Sequence, residues 1–289
     1  MEFIGLLQQN IAVFYSLIIF TGLAVGSFLN VVIYRLPRMM EQEWRSQCRE
    51  LLGLPSAEDN LGNTQKISLA FPASACPKCG HKIRFWENIP VLSYLFLKGS
   101  CSNCGNKISL QYPLIEAATA ILSVAVAWQF GVSWQTPLAL LLTWSLVALT
   151  MIDFHKQLLP DSITLPVLWL GLIANIFEVF TTLESAVIGA IAGYLALWSV
   201  YHLFKLVTGK EGVGYGDFKL LGALGAWLGW KILPLIILLS SLVGAIIGIA
   251  LIVITRHDKN IPIPFGPYLA IAGWIALIWG DDMIRIWLG

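Results

Sequence analysis

Long apolar segments dominate this chain and restrict what it can fold into. A helix needs roughly 20 apolar residues to cross the hydrocarbon core of a bilayer, and 57% of the 289 residues are hydrophobic whereas only 12% are charged. We place about eight such segments from the apolar pattern, at residues 11–34, 114–130, 138–153, 162–180, 185–206, 217–230, 234–254 and 266–287. The sequence therefore predicts an all-α polytopic membrane protein in which about eight helices cross the lipid bilayer.

The charges that flank the first segment predict how the chain is oriented. Arg35 and Arg38 follow this segment directly, and Glu2 is the only charge before it. Because the segment lacks a basic region on its amino-terminal side, we expect it to remain as a span and not to act as a cleavable signal. Positive residues favour the cytosolic side, so we expect the amino terminus to face away from the cytosol and the loop after the first span to be cytosolic.

This loop differs in composition from the rest of the chain. The sequence divides into a first span at 1–34, a loop domain at 35–113 and a membrane domain of about seven helices at 114–289. The loop holds all five cysteines, a predicted helix from Glu41 to Leu52 and a polar, flexible stretch from Ser56 to Ser68. A segment of about 80 residues with few large apolar side chains is marginal for an independent core. We therefore expect a metal or another cross-link to hold it together.

Two cysteine pairs in the loop predict a metal site. Cys76 and Cys79 form one Cys-x-x-Cys pair, Cys101 and Cys104 form the other, and a glycine follows each pair. This spacing is typical of a four-cysteine zinc site, which is structural because four thiolates leave no open position for a water molecule. Disulfides are disfavoured in a reducing cytosol, and a redox dithiol is a further alternative. Cys48 has no partner by spacing.

Two aspartates at the ends of predicted spans are the candidate catalytic residues. Asp153 ends the third span, and Asp217 closes the string Gly214-Tyr-Gly216-Asp. Carboxylates at membrane depth are costly and usually functional, although a purely interfacial position is the alternative for each. If the two face each other, repulsion makes them share one proton, so that one acts as a base toward water and the other polarises a carbonyl. The pair thus predicts an aspartyl protease. Gly214 and Gly216 would let the backbone bend sharply just before Asp217.

Other candidates for the chemistry are weaker. Asp161 follows Pro160 and precedes an apolar run, so we expect it to cap the amino terminus of the fourth span. We interpret His155 as a solvated residue and His81 as a residue outside the metal site. The sequence contains neither the Gly-x-Ser-x-Gly elbow of serine hydrolases nor the His-Glu-x-x-His motif of zinc proteases. The net charge is +1 and no basic cluster carries interleaved aromatic residues, which argues against nucleic acid as a partner.

Several ordered motifs resemble one family nearly end to end. Besides the two cysteine pairs and Asp153, they are Gly26-Ser-Phe-Leu-Asn-Val-Val-Ile-Tyr-Arg-Leu-Pro37, Asn88-Ile-Pro-Val-Leu-Ser-Tyr94, Tyr112-Pro-Leu-Ile-Glu116, Leu159-Pro-Asp161, Gly214-Tyr-Gly-Asp217 and Pro264-Phe-Gly-Pro267. On these motifs the chain resembles the type IV prepilin peptidases.

This resemblance implies a bifunctional enzyme of the bacterial inner membrane. It implies that the protein removes the basic leader of type IV prepilins and type II secretion pseudopilins after a glycine, at the cytosolic face, with Asp153 and Asp217 as the catalytic pair. It also implies N-methylation of the new amino-terminal residue, commonly phenylalanine, with S-adenosylmethionine as the donor. The family pattern points to the region near Gly99 for the donor, although Ser100 stands where the family often has a basic residue.

Three alternatives remain open at this stage. Another membrane protease of the Gly-x-Gly-Asp type, such as a presenilin or signal peptide peptidase, shares the second aspartate motif. A transporter is suggested by the short, glycine-rich sixth segment, but it leaves the cysteine-rich loop unexplained. An assembly scaffold with an inactive protease fold would not require both aspartates.

Overall fold

The computed structural model describes residues 2–54, 67–210, 212–255 and 264–288. The polar stretch predicted to begin at Ser56 lies outside these residues as far as Lys66. The chain forms two compact units, Met1–Val124 and Ala125–Gly289, which we call unit 1 and unit 2.

The described residues form α-helices, short 3₁₀ helices at Phe85–Asn88 and Trp230–Ile232, and turns, with isolated bridges in place of strands. The helices are α1 (Glu2–Gln9), α2 (Ile11–Leu51), α3 (Leu92–Phe96), α4 (Gln111–Phe130), α5 (Gln135–Lys156), α6 (Asp161–Ile176), α7 (Leu183–Thr208), α8 (Tyr215–Leu228), α9 (Leu233–Thr255) and α10 (Gly266–Leu288).

The predicted all-α membrane architecture is confirmed, whereas the count of about eight spans is not. Within the described residues, 5 helical segments are long and apolar enough to cross a membrane, and they are Ile11–Leu51, Gln111–Phe130, Gln135–Lys156, Leu183–Thr208 and Trp230–Ala250. Helix α8 has only 14 residues, so it is roughly 21 Å long and shorter than the hydrocarbon core. Short helices such as α6 and α8 therefore depend on their neighbours for burial.

Helix α2 is longer than the predicted first span. It runs for 41 residues without interruption and includes Pro37, so the helix predicted from Glu41 to Leu52 is its continuation. At 1.5 Å per residue its length is roughly 60 Å, about twice the thickness of the hydrocarbon core. The charged second half of α2 therefore extends beyond the apolar layer.

Close approach of α2 and α4 organises unit 1. A Cβ atom on Gly22 would lie 2.8 Å from the Cα atom of Ala120, and one on Gly26 would lie 2.7 Å from the Cα atom of Glu116. The two glycines are one helical turn apart and let the backbones meet, as small residues do between membrane helices. The next turn of the same face carries Asn30, whose Nδ2 donates to the carbonyl oxygen of Tyr112 at 3.1 Å.

Helix α8 lies at the centre of unit 2, packed against α6, α7, α9 and α10. Its residues from Phe218 to Trp227 are almost completely buried, except Lys219, whose side chain is 30% exposed. A Cβ atom on Gly193 of α7 would lie 2.6 Å from the carbonyl oxygen of Leu221, and Gly189 and Gly225 meet backbone to backbone. Gly222 and Gly225 of the sixth predicted segment thus permit close helix packing within an unbroken helix, which ends at Gly229.

Asn175 closes the far end of α8. Its Nδ2 donates to the carbonyl oxygens of Ala226 and Trp227 at 2.8 and 3.0 Å. Its Oδ1 accepts the backbone N–H groups of Phe180 and Thr181 at 3.0 and 3.1 Å. This fully buried amide therefore satisfies the carbonyls at the end of one helix and the loop after another.

Candidate active site, cysteine cluster and cavity

Asp217 is fixed by the bend that precedes it. It lies in the first turn of α8, and its Oδ2 accepts the N–H of Gly214 at 3.0 Å. Gly214 is the residue that caps this helix, so the carboxylate folds back on its own amino terminus. Only 6% of Asp217 is exposed, and its Oδ1 is buried with no hydrogen-bond partner among the described residues. One carboxylate oxygen is thus held by the backbone, and the other has no hydrogen-bond partner among the described residues.

Asp153 is fixed by a residue that is distant in the sequence. It lies near the end of α5, is 6% exposed, and accepts the backbone N–H of Gly266 at the start of α10. A Cβ atom on Gly266 would lie 2.6 Å from Oδ2 of Asp153. Only glycine allows the backbone to approach the carboxylate this closely.

The structure brings the two predicted aspartates together. Their carboxylates are near enough for the charge of Asp153 to act on Asp217. The side chain of Leu159 lies between the two supports, because Cβ atoms on Gly216 and Gly266 would lie 2.7 and 3.1 Å from its atoms. Two buried carboxylates in this arrangement cannot both ionise easily, so they are suited to share one proton.

The prediction that Asp161 caps α6 is wrong by one residue. Pro160 is the capping residue, with extended backbone angles, and its carbonyl oxygen accepts the N–H groups of Ile163 and Thr164. Asp161 is instead the first helical residue, and its two carboxylate oxygens lie 2.7 and 2.6 Å from Nζ of Lys219. Its carboxylate therefore stabilises the positive end of α6 and pairs with α8. 

A tyrosine pair beside Asp217 was not singled out from the sequence. Tyr201 on α7 is 1% exposed, and its hydroxyl lies 3.5 Å from that of Tyr215 in the glycine motif. Lys205 donates to the same hydroxyl of Tyr201 at 3.3 Å. The contact between the two tyrosines joins the first turn of α8 to α7, and the loop between the two helices separates them in the sequence.

The four predicted cysteine ligands meet in unit 1. Their Sγ atoms all lie within 4.8 Å of one another, with 3.8 Å between Cys76 and Cys104 and 3.9 Å between Cys79 and Cys101. A tetrahedral zinc ion with bonds of about 2.3 Å would place its sulfur ligands about 3.8 Å apart. The donor set and its spacing therefore fit a zinc ion.

The two halves of the cluster have the same backbone geometry. The N–H of Cys76 donates to the carbonyl oxygen five residues later at 2.9 Å, and the N–H of Cys101 does the same at 2.8 Å. The glycines after the pairs, Gly80 and Gly105, have φ angles of +70° and +66°. Because L side chains rarely adopt such angles, each glycine permits the turn that directs two thiols to one point.

The surroundings of the first cysteine pair favour the thiolate form, whereas burial and the neighbouring thiols raise the pKa of Cys104. The backbone N–H of His81 and the side-chain amide of Asn103 lower the pKa of the Cys79 thiol to about 6. His81 itself lies outside the sulfur cluster, and Cys48 is exposed on α2. Neither residue joins the ligand set within the part of the chain that the structure describes.

Glu87 ties the two halves together. Its carboxylate accepts the N–H of Arg84 at 2.8 Å and the hydroxyl of Ser102 at 2.6 Å, and lies 3.2 Å from Nε2 of His81. The N–H of Arg84, then the Ser102 hydroxyl and His81, lower the pKa of Glu87 to about 2. This carboxylate is therefore ionised at neutral pH.

Unit 1 also contains a cavity of about 480 Å³. Its described lining begins at Ser27 on α2, includes the cysteine loop and ends at Glu116 on α4. Glu116 is buried, and its carboxylate accepts the N–H of Val91 at 2.7 Å and a hydrogen bond from Ser27. 

The predicted region near Gly99 borders this cavity. Gly99 has a φ angle of +65°, and a Cβ atom there would lie 2.7 Å from the hydroxyl of Tyr94, which lines the cavity. The N–H of Ile108 donates to the carbonyl oxygen of Gly99 at 2.8 Å. Gly99 therefore supports the wall through Tyr94.

Known proteins share both parts of this chain. Residues 20–130 match the Bacterial Peptidase A24 N-terminal domain, and residues 140–249 match the Type IV leader peptidase family. A prepilin leader peptidase/N-methyltransferase of Pseudomonas aeruginosa is 57% identical over 289 residues, which cover 100% of this chain and 98% of that protein. A protein of the same name from Aeromonas hydrophila is 56% identical, and the match covers 95% of this chain and 94% of that protein. Another from Legionella pneumophila is 46% identical, and the match covers 93% of this chain and 92% of that protein. No solved structure matches the chain. The chain belongs to the type IV leader peptidase family.

Proposed function

We propose that this protein removes the leader peptide of type IV prepilins and type II secretion pseudopilins and then methylates the new terminal amine. The relatives that cover nearly the whole chain are named for both activities. Both family segments are present, and the leader peptidase segment contains Asp153 and Asp217. S-adenosylmethionine is the methyl donor in this proposal.

The proposed protease mechanism uses the two buried aspartates and a water molecule. The ionised member of the pair takes a proton from water while the water oxygen attacks the carbonyl carbon of the leader glycine. The protonated member donates its proton to the carbonyl oxygen. When the tetrahedral intermediate breaks its C–N bond, a proton passes to the leaving amine. The pair is then restored with one shared proton.

One observation carries this proposal. Oδ1 of Asp217 is buried without a partner among the described residues, Oδ2 is held by Gly214, and the charge of Asp153 acts on the same carboxylate. An unsatisfied carboxylate oxygen beside a second acid is unfavourable for stability. Its retention is explained if that oxygen handles a proton or a water molecule during cleavage.

The proposed location is the bacterial inner membrane, with the aspartates and the cysteine loop on the cytosolic side. Arg35 and Arg38 after the first apolar segment support this orientation. A basic leader is retained on the cytosolic side by the same rule, so the scissile bond and the aspartates would share one face of the membrane.

The proposed metal is a structural zinc ion held by Cys76, Cys79, Cys101 and Cys104. The separations of the sulfur atoms fit tetrahedral coordination. Four thiolates fill the coordination sphere, so the ion would hold the loop in shape and would take no part in cleavage.

A cleavage assay with purified protein in detergent tests the protease proposal. Asp153→Asn and Asp217→Asn each preserve side-chain size but remove the proton exchange, so we expect each to reduce the rate on the order of a thousandfold. Asp282→Asn is the matched control, because Asp282 is exposed near the end of α10. Asp161→Asn tests the rival acid and should cleave at a rate close to that of the unmodified protein.

Two results would contradict the proposed pair. Near-normal cleavage by either Asp153→Asn or Asp217→Asn would remove that residue from the mechanism. A loss of cleavage in Asp161→Asn, with the fold intact, would replace one of them with Asp161.

A further inference from the structure

The cavity of unit 1 has the size of a small-molecule site. Its volume of about 480 Å³ lies within the range of roughly 300–1,000 Å³ that is common for ligand pockets. Helix α2, the cysteine loop and the start of α4 all contribute to its lining. A metal that orders the loop would therefore also order this cavity.

Asn30 is an unsatisfied acceptor in the cavity lining. The residue is 6% exposed, and its Nδ2 donates to the carbonyl oxygens of Gly26 and Tyr112 at 3.3 and 3.1 Å. These bonds fix which end of the amide is oxygen, and that Oδ1 has no partner among the described residues. Leaving a buried acceptor unpaired costs roughly 1–3 kcal/mol. A ligand with an N–H or O–H donor would satisfy it.

The cavity also carries acidic groups. Glu116 and Glu87 both line it, and both carboxylates are already oriented by backbone N–H donors. Oriented carboxylates favour a ligand that carries positive charge. Lys107 is in the same lining, so the site offers both signs of charge to a zwitterion.

Aromatic side chains complete the lining. Tyr34, Tyr94 and Tyr112 all contribute to it. Tyrosine rings offer faces to planar bases and to cations. The lining therefore combines groups for an aromatic base, a cation and a hydrogen-bond donor.

We propose that this cavity binds S-adenosylmethionine, with Glu116 facing its positively charged end and Asn30 Oδ1 accepting a hydrogen bond from it. The inference rests on the methyl-transfer activity proposed above. It assigns donor binding to the lining residues of α2, the cysteine loop and the start of α4. Gly99 contributes indirectly, because its lack of a side chain lets Tyr94 stand in the wall.

The chemistry sets what the site must do. In the transfer, the substrate amine forms a bond to the methyl carbon, the methyl–sulfur bond breaks with its electrons going to sulfur, and the amine releases a proton to water. The carboxylate of Glu116 binds the donor before the transfer and orients it. Ser27 and the N–H of Val91 hold that carboxylate in place.

The test is direct binding of radiolabelled S-adenosylmethionine, and of its product S-adenosylhomocysteine, to the zinc-loaded full-length protein. Glu116→Gln keeps the shape and the contacts to Val91 and Ser27 but removes the charge. We expect it to raise the Kd of S-adenosylmethionine on the order of tenfold or more. Glu43→Gln is the matched control, since it removes one charge from an exposed part of α2, and its Kd should equal that of the unmodified protein.

A second measurement does not depend on any variant. Photo-cross-linking of the labelled donor to the unmodified protein should mark peptides within residues 27–35, 73–88 or 93–116, which contain the cavity lining. The zinc content and melting midpoint of Glu116→Gln establish whether the variant is folded.

The possible outcomes distinguish a wrong cavity assignment from a wrong methyltransferase proposal. If the unmodified protein binds the donor but Glu116→Gln binds equally well, or if the label maps to unit 2, the cavity assignment is overturned while methyl transfer stands. If a basic leader peptide labels the cavity and the donor does not, the cavity is a substrate site and the inference is also overturned. If the unmodified protein binds neither compound, the methyltransferase proposal fails as well.

Discussion

The two buried asparagines show how differently the two units are built. In unit 2, Asn175 uses both ends of its amide to close α8, and its bonds all go to the protein backbone. In unit 1, Asn30 uses only its donor end, and its Oδ1 is buried without a partner among the described residues. In unit 2, which holds the aspartates, the hydrogen bonds of this buried amide are thus all satisfied within the protein. The unit that holds the cysteines has groups that fit a metal and a ligand.

The cores of the two units differ in the same way. Helix α8 is buried among four other helices, with glycines that let backbones touch. The cysteine loop has two turns, a short helix and one acidic side chain that joins its halves. Unit 2 should therefore keep its structure under conditions that unfold the loop of unit 1.

Removal of the proposed zinc ion should have the largest effect, and this effect should be confined to unit 1. Metal binding in small four-ligand sites contributes on the order of 10 kcal/mol to folding, so chelation should unfold the loop. Limited trypsin digestion should then cut after Lys78, Lys82 and Lys98 but leave the digestion pattern of unit 2 unchanged. Mass spectrometry of the fragments, together with the zinc content per chain, measures this.

Cys48→Ser is the control for that experiment. Cys48 lies outside the sulfur cluster, so this variant should retain its metal and its resistance to trypsin. A loop that resists trypsin equally with and without metal would show that unit 1 is closed by its own contacts, and the contrast between the units would be lost.

Replacing Asn175, the amide at the end of α8, should have the next largest effect, a loss of stability in unit 2. Asn175→Ala leaves four backbone groups without their partners, and we expect it to lower the free energy of unfolding by about 3 kcal/mol. Detergent-based unfolding, monitored by circular dichroism, measures the change. Asn10→Ala removes only one exposed capping bond at 3.3 Å and should cost about 1 kcal/mol or less. Equal effects of the two substitutions would mean that the closure of α8 contributes little to the stability of unit 2.

A single methyl group beside Asp153 should have a smaller but specific effect. In Gly266→Ala the new Cβ atom would lie 2.6 Å from Oδ2 of Asp153, so the carboxylate must move. Displacement of a reacting group by about 1 Å can cost about a hundredfold in rate, and we expect cleavage to fall by that order. Gly5→Ala is the control because a Cβ atom there has nothing within 4 Å. Normal cleavage by Gly266→Ala would mean that the position of Asp153 is not critical.

Local patterns in the sequence predicted the elements of both units. The apolar runs predicted the helices of unit 2 within a few residues, because burial in lipid requires them. The spacing of Cys76, Cys79, Cys101 and Cys104 predicted their convergence, because two short turns can present four thiols to one ion. The division into domains at residues 34 and 113, and the catalytic roles of the two aspartates, remain predictions.

Long-range contacts explain what the sequence did not reveal. Asp161 was expected to cap its own helix, but it pairs with Lys219, 58 positions away. The contact of Gly266 with Asp153 and the contact of Leu159 with both glycines arise only when α5, α8 and α10 pack. Asn30 was part of a family motif, yet its unpaired oxygen becomes evident only when both acceptors of its Nδ2 are known.

The central claim is that the two units carry separate activities, and one preparation of Asp217→Asn tests it most directly. Prepilin cleavage and binding of S-adenosylhomocysteine are measured on the same purified sample, with zinc content as the check on unit 1. We predict that cleavage falls on the order of a thousandfold while the Kd equals that of the unmodified protein. Near-normal cleavage, or loss of ligand binding from a sample with its zinc intact, would contradict the account.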